Sequence, residues 1–246
     1  MSDKPIELFA SRAERYPEPT QSDVALGATR AALAAIPIVG GSVTELMSLV
    51  ITPAVVRRRD QWLKDLADGL DQLEAKVDGF QISVLQDNEA FVSAVIEASK
   101  AAVGTHKREK HEALRNALLN IALRRTPDED QQQIFVRYID ELTAWHIKFL
   151  ALFEDPPKLL AARVIRNSYY IGAGSQVLED VYPELAGKRE LYDQIAADLD
   201  ARGLIGGTAF LHGSMSAQGM VSKRTTALAD AFLAFISEPP ELHRSS

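Results

Sequence analysis

Residues 24–56 read VALGATRAALAAIPIVGGSVTELMSLVITPAVV, and Arg30 and Glu45 are the only charges in this stretch. An apolar run of this length has to be enclosed, either by protein or by lipid. A spanning helix needs about 20 consecutive, mostly apolar residues. Pro37 and the Gly40-Gly41 pair interrupt the run near its middle, where a helix ends or bends. The sequence therefore predicts two short helices, 22–36 and 42–56, joined by a Pro-Ile-Val-Gly-Gly turn. The pair is apolar nearly all round rather than striped. It is rich in Ala, Gly, Ser and Thr, which suit close helix contact in lipid as well as in water. Two readings follow: a buried hairpin inside a helical bundle, or a hairpin that leaves the core for a bilayer.

Arg57, Arg58 and Arg59 follow at once. They form a cationic flank suited to anionic headgroups. Candidate membrane or partner contacts are therefore Ile36, Pro37, Ile38, Val39, Gly40 and Gly41 in the turn, with Arg57, Arg58 and Arg59 beside them. The first 21 residues mix charges of both signs around Tyr16-Pro17-Glu18-Pro19. They predict an irregular leader and lack the basic and apolar regions of a signal peptide. The expected location is the cytoplasm, with the inner membrane as a surface that the hairpin can reach.

Beyond Arg57 the pattern is regular. Leu63, Leu66, Leu70, Leu73 and Val77 follow 3-4-3-4 spacing, an inward seam on an amphipathic helix, with Trp62 beside it. Asp87 or Asn88 can cap a helix over 88–103, with Phe91, Val92, Val95, Ile96 and Ala102 on one face. A helix over 107–125 buries Leu114, Leu118 and Ile121. Thr126-Pro127-Asp128-Glu129 is a start signal, with Thr126 expected at the N-cap, Pro127 at the first helical position and Glu129 closing a capping box. The helix it opens is expected to run to 153, with Ile134, Phe135, Tyr138, Leu142, Trp145, Phe149 and Leu152 inward. Glu154-Asp155-Pro156-Pro157 stops it and marks a domain boundary.

The fold class expected is mainly α. A helical bundle carrying the apolar hairpin spans 22–155, a small α+β module resembling a winged helix spans 157–236, and a frayed tail spans 237–246. In the module, a helix over 158–166, a short strand or an aromatic turn at Tyr169-Tyr170-Ile171, and a helix over 188–202 ending at Gly203 lead to a strand at Leu204-Ile205. A β-ribbon over 208–221 and a last helix over 225–236 complete it.

Charge narrows the function classes. With 27 basic and 34 acidic residues the net charge is −7, which argues against general affinity for nucleic acid. Residues 157–246 hold nine basic and ten acidic side chains, without the cationic footprint of a DNA-reading module. Residues 104–125 hold six basic and two acidic side chains, whereas 126–156 hold two and seven. Two readings fit: mutual complementarity between neighbouring helices, or a cationic rim in which Lys107, Arg108 and Lys110 join Arg57, Arg58 and Arg59.

Catalytic and metal chemistry find little support. There is no cysteine. His106 and His111 are five apart and do not share a helix face. No His-Glu-x-x-His is present. The Gly203–Gly207 and Gly172–Ser175 runs lack the ending and context of a phosphate loop. Ser214 and Ser216 beside His212 lack the strand–turn–helix setting of an activated serine. No catalytic, cofactor or metal residue is assigned. A hydrolase or nuclease reading would need clustered polar side chains in a pocket, and His106, His111 or His212 beside a carboxylate at hydrogen-bond distance would reopen it.

The order of features resembles the abortive-infection alpha type of bacterial and phage protein. The residues that carry the likeness are the Ile36–Gly41 hairpin with a charged helix after it, Glu112-Ala113-Leu114-Arg115-Asn116-Ala117-Leu118-Leu119, the Phe135, Tyr138, Ile139, Leu142 helix, and Asp198-Leu199 followed by Gly203-Leu204-Ile205. The resemblance implies a helical bacterial protein of antiviral defence, without catalytic residues. The partners to expect are a membrane surface, a protein, or a second copy of the chain, but not nucleic acid. The competing reading is an interaction scaffold whose hairpin is permanent core and whose C-terminal module docks protein or DNA.

Overall fold

The computed structural model describes residues 45–125, 128–165 and 169–243. The hairpin turn at Ile36, Pro37, Ile38, Val39, Gly40 and Gly41, the leader and the first hairpin helix lie outside the described residues.

The fold is mainly helical, with a small antiparallel sheet toward the C-terminus. The first helix, α1, is Glu45–Lys76. It joins into one rod what the sequence divides into a hairpin helix and a charged helix. The rod passes through Pro53, which has no N–H for the carbonyl one turn back. Of the α1 side chains described, from Ala54 on, Trp62 is the first to be fully buried. Leu63, Leu66, Leu70 and Leu73 follow it inward on the expected seam, with Val77 half-buried.

A 3₁₀ turn (Ile82–Asp87) leads to α2 (Glu89–Gly104), capped where the Asn88 side chain accepts from the Phe91 N–H at 3.1 Å. Helix α3 (Arg108–Ala122) returns alongside α1 and α2. Helix α4 (Glu129–Glu141) is capped not by Thr126, as expected, but two residues later by Asp128, which accepts from the Gln131 N–H, so Glu129 is the first helical residue and closes no capping box; Thr126 and Pro127 lie outside the described residues. The expected single helix to 153 is instead two. The chain breaks at Leu142-Thr143, where φ and ψ turn extended, and restarts as α5 (Ala144–Glu154). The break turns Ile134 outward to 42% exposure, against the inward place its spacing suggests, while Phe135, Leu142, Phe149 and Leu152 are buried.

Asp155 caps α6 (Pro156–Ala162), with Pro156 in the first turn. Strand β1 (Ile171–Gly172) precedes α7 (Gly174–Val181) and α8 (Arg189–Ala201). Gly203 ends α8 with φ +68°, the left-handed position that favours glycine. Leu204-Ile205 does not open a hairpin; Ile205 forms a single bridge with Thr225. The β-ribbon expected over 208–221 is not formed. That stretch holds a 3₁₀ turn (Ala209–Leu211), β2 (Met215–Ser216) and α9 (Ala217–Met220). Strand β2 pairs with β1, Ile171 opposite Ser216. The glycines here serve packing: a Cβ at Gly174 would lie 2.6 Å from the Phe210 ring.

The last long helix, α10 (Ala227–Ile236), packs on α3 and α5. Its Phe232 and Phe235 rings each lie 5.4 Å from Phe135 of α4. The tail, expected to fray, is instead tied down as far as α11 (Pro240–His243). Arg125 pairs with Glu241, Arg115 lies 3.9 Å from Glu238, and Lys76 donates to the Leu242 carbonyl at 3.0 Å. This is where the basic face of α3 finds its carboxylates. The ion pair between α3 and the α4–α5 stretch runs the other way, Lys148 to Glu109 at 3.0 Å. Lys110, whose ammonium donates to the Asp140 carbonyl and is attracted by the Asp140 charge, joins the basic segment to the acidic one as the complementarity reading expects, while Arg115 and Arg125 turn to the C-terminal tail.

Candidate functional site

The sequence singles out two cationic groups, and the fold brings parts of them together. Arg58 Nη1 donates to the Val103 carbonyl, near the end of α2, at 3.4 Å. The 57–59 stretch thus sits beside the connection 104–107 that opens α3. Arg57 and Lys107 are exposed. Arg59 is held by Asp60 at 3.1 Å and Arg108 by Glu112 at 2.7 Å. Lys107 is turned by the chain itself, its N–H bonded to Thr105 Oγ1 at 3.2 Å.

Lys110 does not belong to this rim. Its ammonium donates to the Asp140 carbonyl in the last turn of α4, where a cation complements the helix dipole. Burial pushes the Lys110 ammonium below its ordinary range, with Asp140 acting the other way. Glu109 beside it is held below the usual carboxylate range, first by its own backbone N–H at the head of α3 and then by Lys148.

Next to this end a groove of about 330 Å³ runs between α1 and α3. Trp62, Asp65 and Asp68 form one wall and Arg108, His111 and Arg115 the other. Trp62 donates its indole N–H to Ser99 Oγ at 3.0 Å, and His111 stands edge-on to it at 6.1 Å. Gly69 admits Arg115 across α1, since a Cβ there would lie 3.0 Å from the guanidinium, which donates to the Asp65 carbonyl. A larger groove, about 930 Å³, lies by the start of α2 and is lined by Arg124, whose φ of +54° is rare for a residue with a side chain.

Two histidines meet carboxylates that their spacing in the chain does not bring to notice. His146 Nε2 lies 3.4 Å from Asp198 Oδ2, and His212 Nε2 lies 2.6 Å from Asp193 Oδ1. His146 is buried, and its Nδ1 accepts the Thr143 N–H at 3.2 Å, so it holds no free base. His212 is exposed, and among the described residues nothing bonds to its Nδ1. A carboxylate and an imidazole are present there, but no hydroxyl is bonded to the ring as nucleophilic catalysis requires. Among the described residues no group of three or more side chains is placed to hold a metal. The sequence signal for the His146 site was Thr143-x-x-His146, a capping box with histidine in the usual Glu or Gln position. His212–Asp193 has no local signal.

The chain matches no protein-family model, no curated protein and no solved structure. No described helix is long and apolar enough to cross a membrane.

Proposed function

We propose that this protein acts without catalysis, by laying its apolar segment and cationic end against an anionic membrane surface, as a bacterial antiviral-defence protein of the abortive-infection kind. The observation that carries this reading is the bond from Arg58 to the Val103 carbonyl. It gathers Arg57, Arg58, Lys107 and Arg108 at one end of the bundle, next in sequence to the apolar part of α1. The buried seam begins at Trp62. Roughly 25 Å of helix, at 1.5 Å per residue, precedes that point. Each basic residue near an anionic surface contributes about 1 kcal/mol of attraction.

Flotation on vesicles with and without anionic lipid tests the reading. The expected result is attachment to anionic vesicles only, weakened more than tenfold when Arg57→Glu and Lys107→Glu are combined, and screened by salt. A chain that stays in the aqueous fraction at low salt overturns it.

A second reading is favoured by a different observation. Val164, Tyr170 and Ile171, at 79%, 82% and 75% exposure, are large apolar side chains of the C-terminal module. Here the C-terminal module docks a protein partner and the hairpin is permanent core. Loss of a pulled-down partner on Tyr170→Ser, with vesicle binding absent, supports this reading over the first.

A further inference from the structure

The bend between α4 and α5 is closed by a titratable ring. Thr143 caps α5, and its N–H donates to His146 Nδ1 at 3.2 Å, while its Oγ1 lies 2.8 Å from the same nitrogen. A nitrogen that accepts an N–H carries no proton itself. The ring is therefore the neutral Nε2–H tautomer, with that proton directed at Asp198 Oδ2 of α8, 3.4 Å away.

We propose that this joint is an acid-sensitive hinge, in which a proton added at His146 Nδ1 uncaps α5 at Thr143 and frees the bend between α4 and α5. The proton sets two donors, Nδ1–H and the Thr143 N–H, face to face across the joint. Nδ1–H can turn to Thr143 Oγ1, 2.8 Å away, but the Thr143 N–H then has no acceptor, and α5 loses the half of its capping box that the ring supplies.

The surrounding charges decide how readily this happens. From α8, Asp198 attracts the imidazolium and Arg202 repels it. From α4, Glu141 holds Arg202 at 2.9 Å. Helix α10, packed on α5, brings Asp230, which is engaged by Lys223 at 2.6 Å and Thr225 at 2.7 Å. On α5 itself, Lys148 is paired with Glu109 of α3. Asp198 is 40% exposed and shared with Gln194, so its attraction is diluted by solvent. Burial of the ring outweighs it and holds His146 below the ordinary histidine range. The closed joint is thus favoured above that range, and the preference is lost as pH falls through the lowered value.

Hydrogen exchange resolved to single amides from pH 8 to pH 4.5, corrected for intrinsic rates, tests the hinge. In the unaltered chain, opening at residues 142–147 is expected to rise by up to tenfold per pH unit below the ordinary histidine range, the slope of one proton taken up. His146→Gln keeps an acceptor for Thr143 but does not titrate, and its profile is expected to be flat. A flat profile in the unaltered chain, or the same slope in both, overturns the hinge. If His146→Gln does not fold, ¹⁵N resonances of the His146 ring in the unaltered chain decide: the neutral Nε2–H form at pH 7.5 supports the proposal, and an Nδ1–H or charged ring refutes it.

Discussion

Asn120, buried in the last turn of α3, donates from Nδ2 to the Phe235 carbonyl at 2.9 Å, and its second hydrogen goes to the Ser237 carbonyl at 2.9 Å. One turn earlier, Asn116 donates to the Ile236 carbonyl at 3.0 Å. Two amides on one helix face therefore take up the last carbonyls of α10, groups that a helix end leaves without partners. This seam fastens the end of the chain to the bundle.

Removing the donor leaves buried carbonyls unpaired. Asn120→Ala is expected to cost about 1–3 kcal/mol in urea unfolding. Asn120→Asp, which has no donor and carries a charge, is expected to cost more. Asn116→Ala, at a half-buried position, is expected to cost less than Asn120→Ala. Equal losses at the two asparagines would contradict this assignment.

Trp62 and Ser99 form a buried pair between α1 and α2. Trp62→Phe strands Ser99 Oγ and is expected to cost about 1–3 kcal/mol beyond the lost packing. Adding Ser99→Ala removes the stranded group. The double variant is expected to be more stable than the sum of the single losses, and strict additivity in the double-mutant cycle would exclude the bond as a contributor.

Phe232 has no exposed surface and contacts Phe135 and Tyr138, at ring distances of 5.4 and 5.9 Å. Phe232→Ala is expected to cost about 3–5 kcal/mol. The packing of α10 on α3 and α5 predicts that tryptophan fluorescence from Trp62 and Trp145 and far-UV dichroism follow one unfolding curve. Two separated transitions would show that the parts on either side of Pro156 unfold independently.

Lys110 separates scaffold from surface. Lys110→Met keeps the stem but removes the cation from the end of α4, with an expected cost of about 1 kcal/mol. Its attachment to anionic vesicles is expected to match the unaltered chain, in contrast to Arg57→Glu with Lys107→Glu. Weaker attachment by Lys110→Met at temperatures where it is fully folded would return Lys110 to the rim.

Much of the helical frame is legible residue by residue. The Leu63, Leu66, Leu70, Leu73 seam, the cap at Asn88, the stop at Glu154-Asp155-Pro156 and Gly203 at the end of α8 depend on contacts within a turn or two. The spacing of side chains in the chain determines such contacts directly. The 142–143 break was hidden because Leu142 and Trp145 continue the apolar spacing through it. Only the Thr143–His146 pair marks it, and histidine is not the residue that pattern normally carries.

What the sequence determined alone was local: where helices form, which stripe of each turns inward, and that the chain is mainly helical. Tertiary structure decided who meets whom. It sent Arg115 and Arg125 to Glu238 and Glu241 of the tail but Lys110 to the end of the acidic α4, paired Ile171 with Ser216 instead of folding a ribbon on itself, and set His146 against Asp198. Helical periodicity is fixed by bonds four residues apart. The choice among distant charges, strands and carbonyls follows from how the helices close around a shared core, which no stretch of sequence encodes by itself.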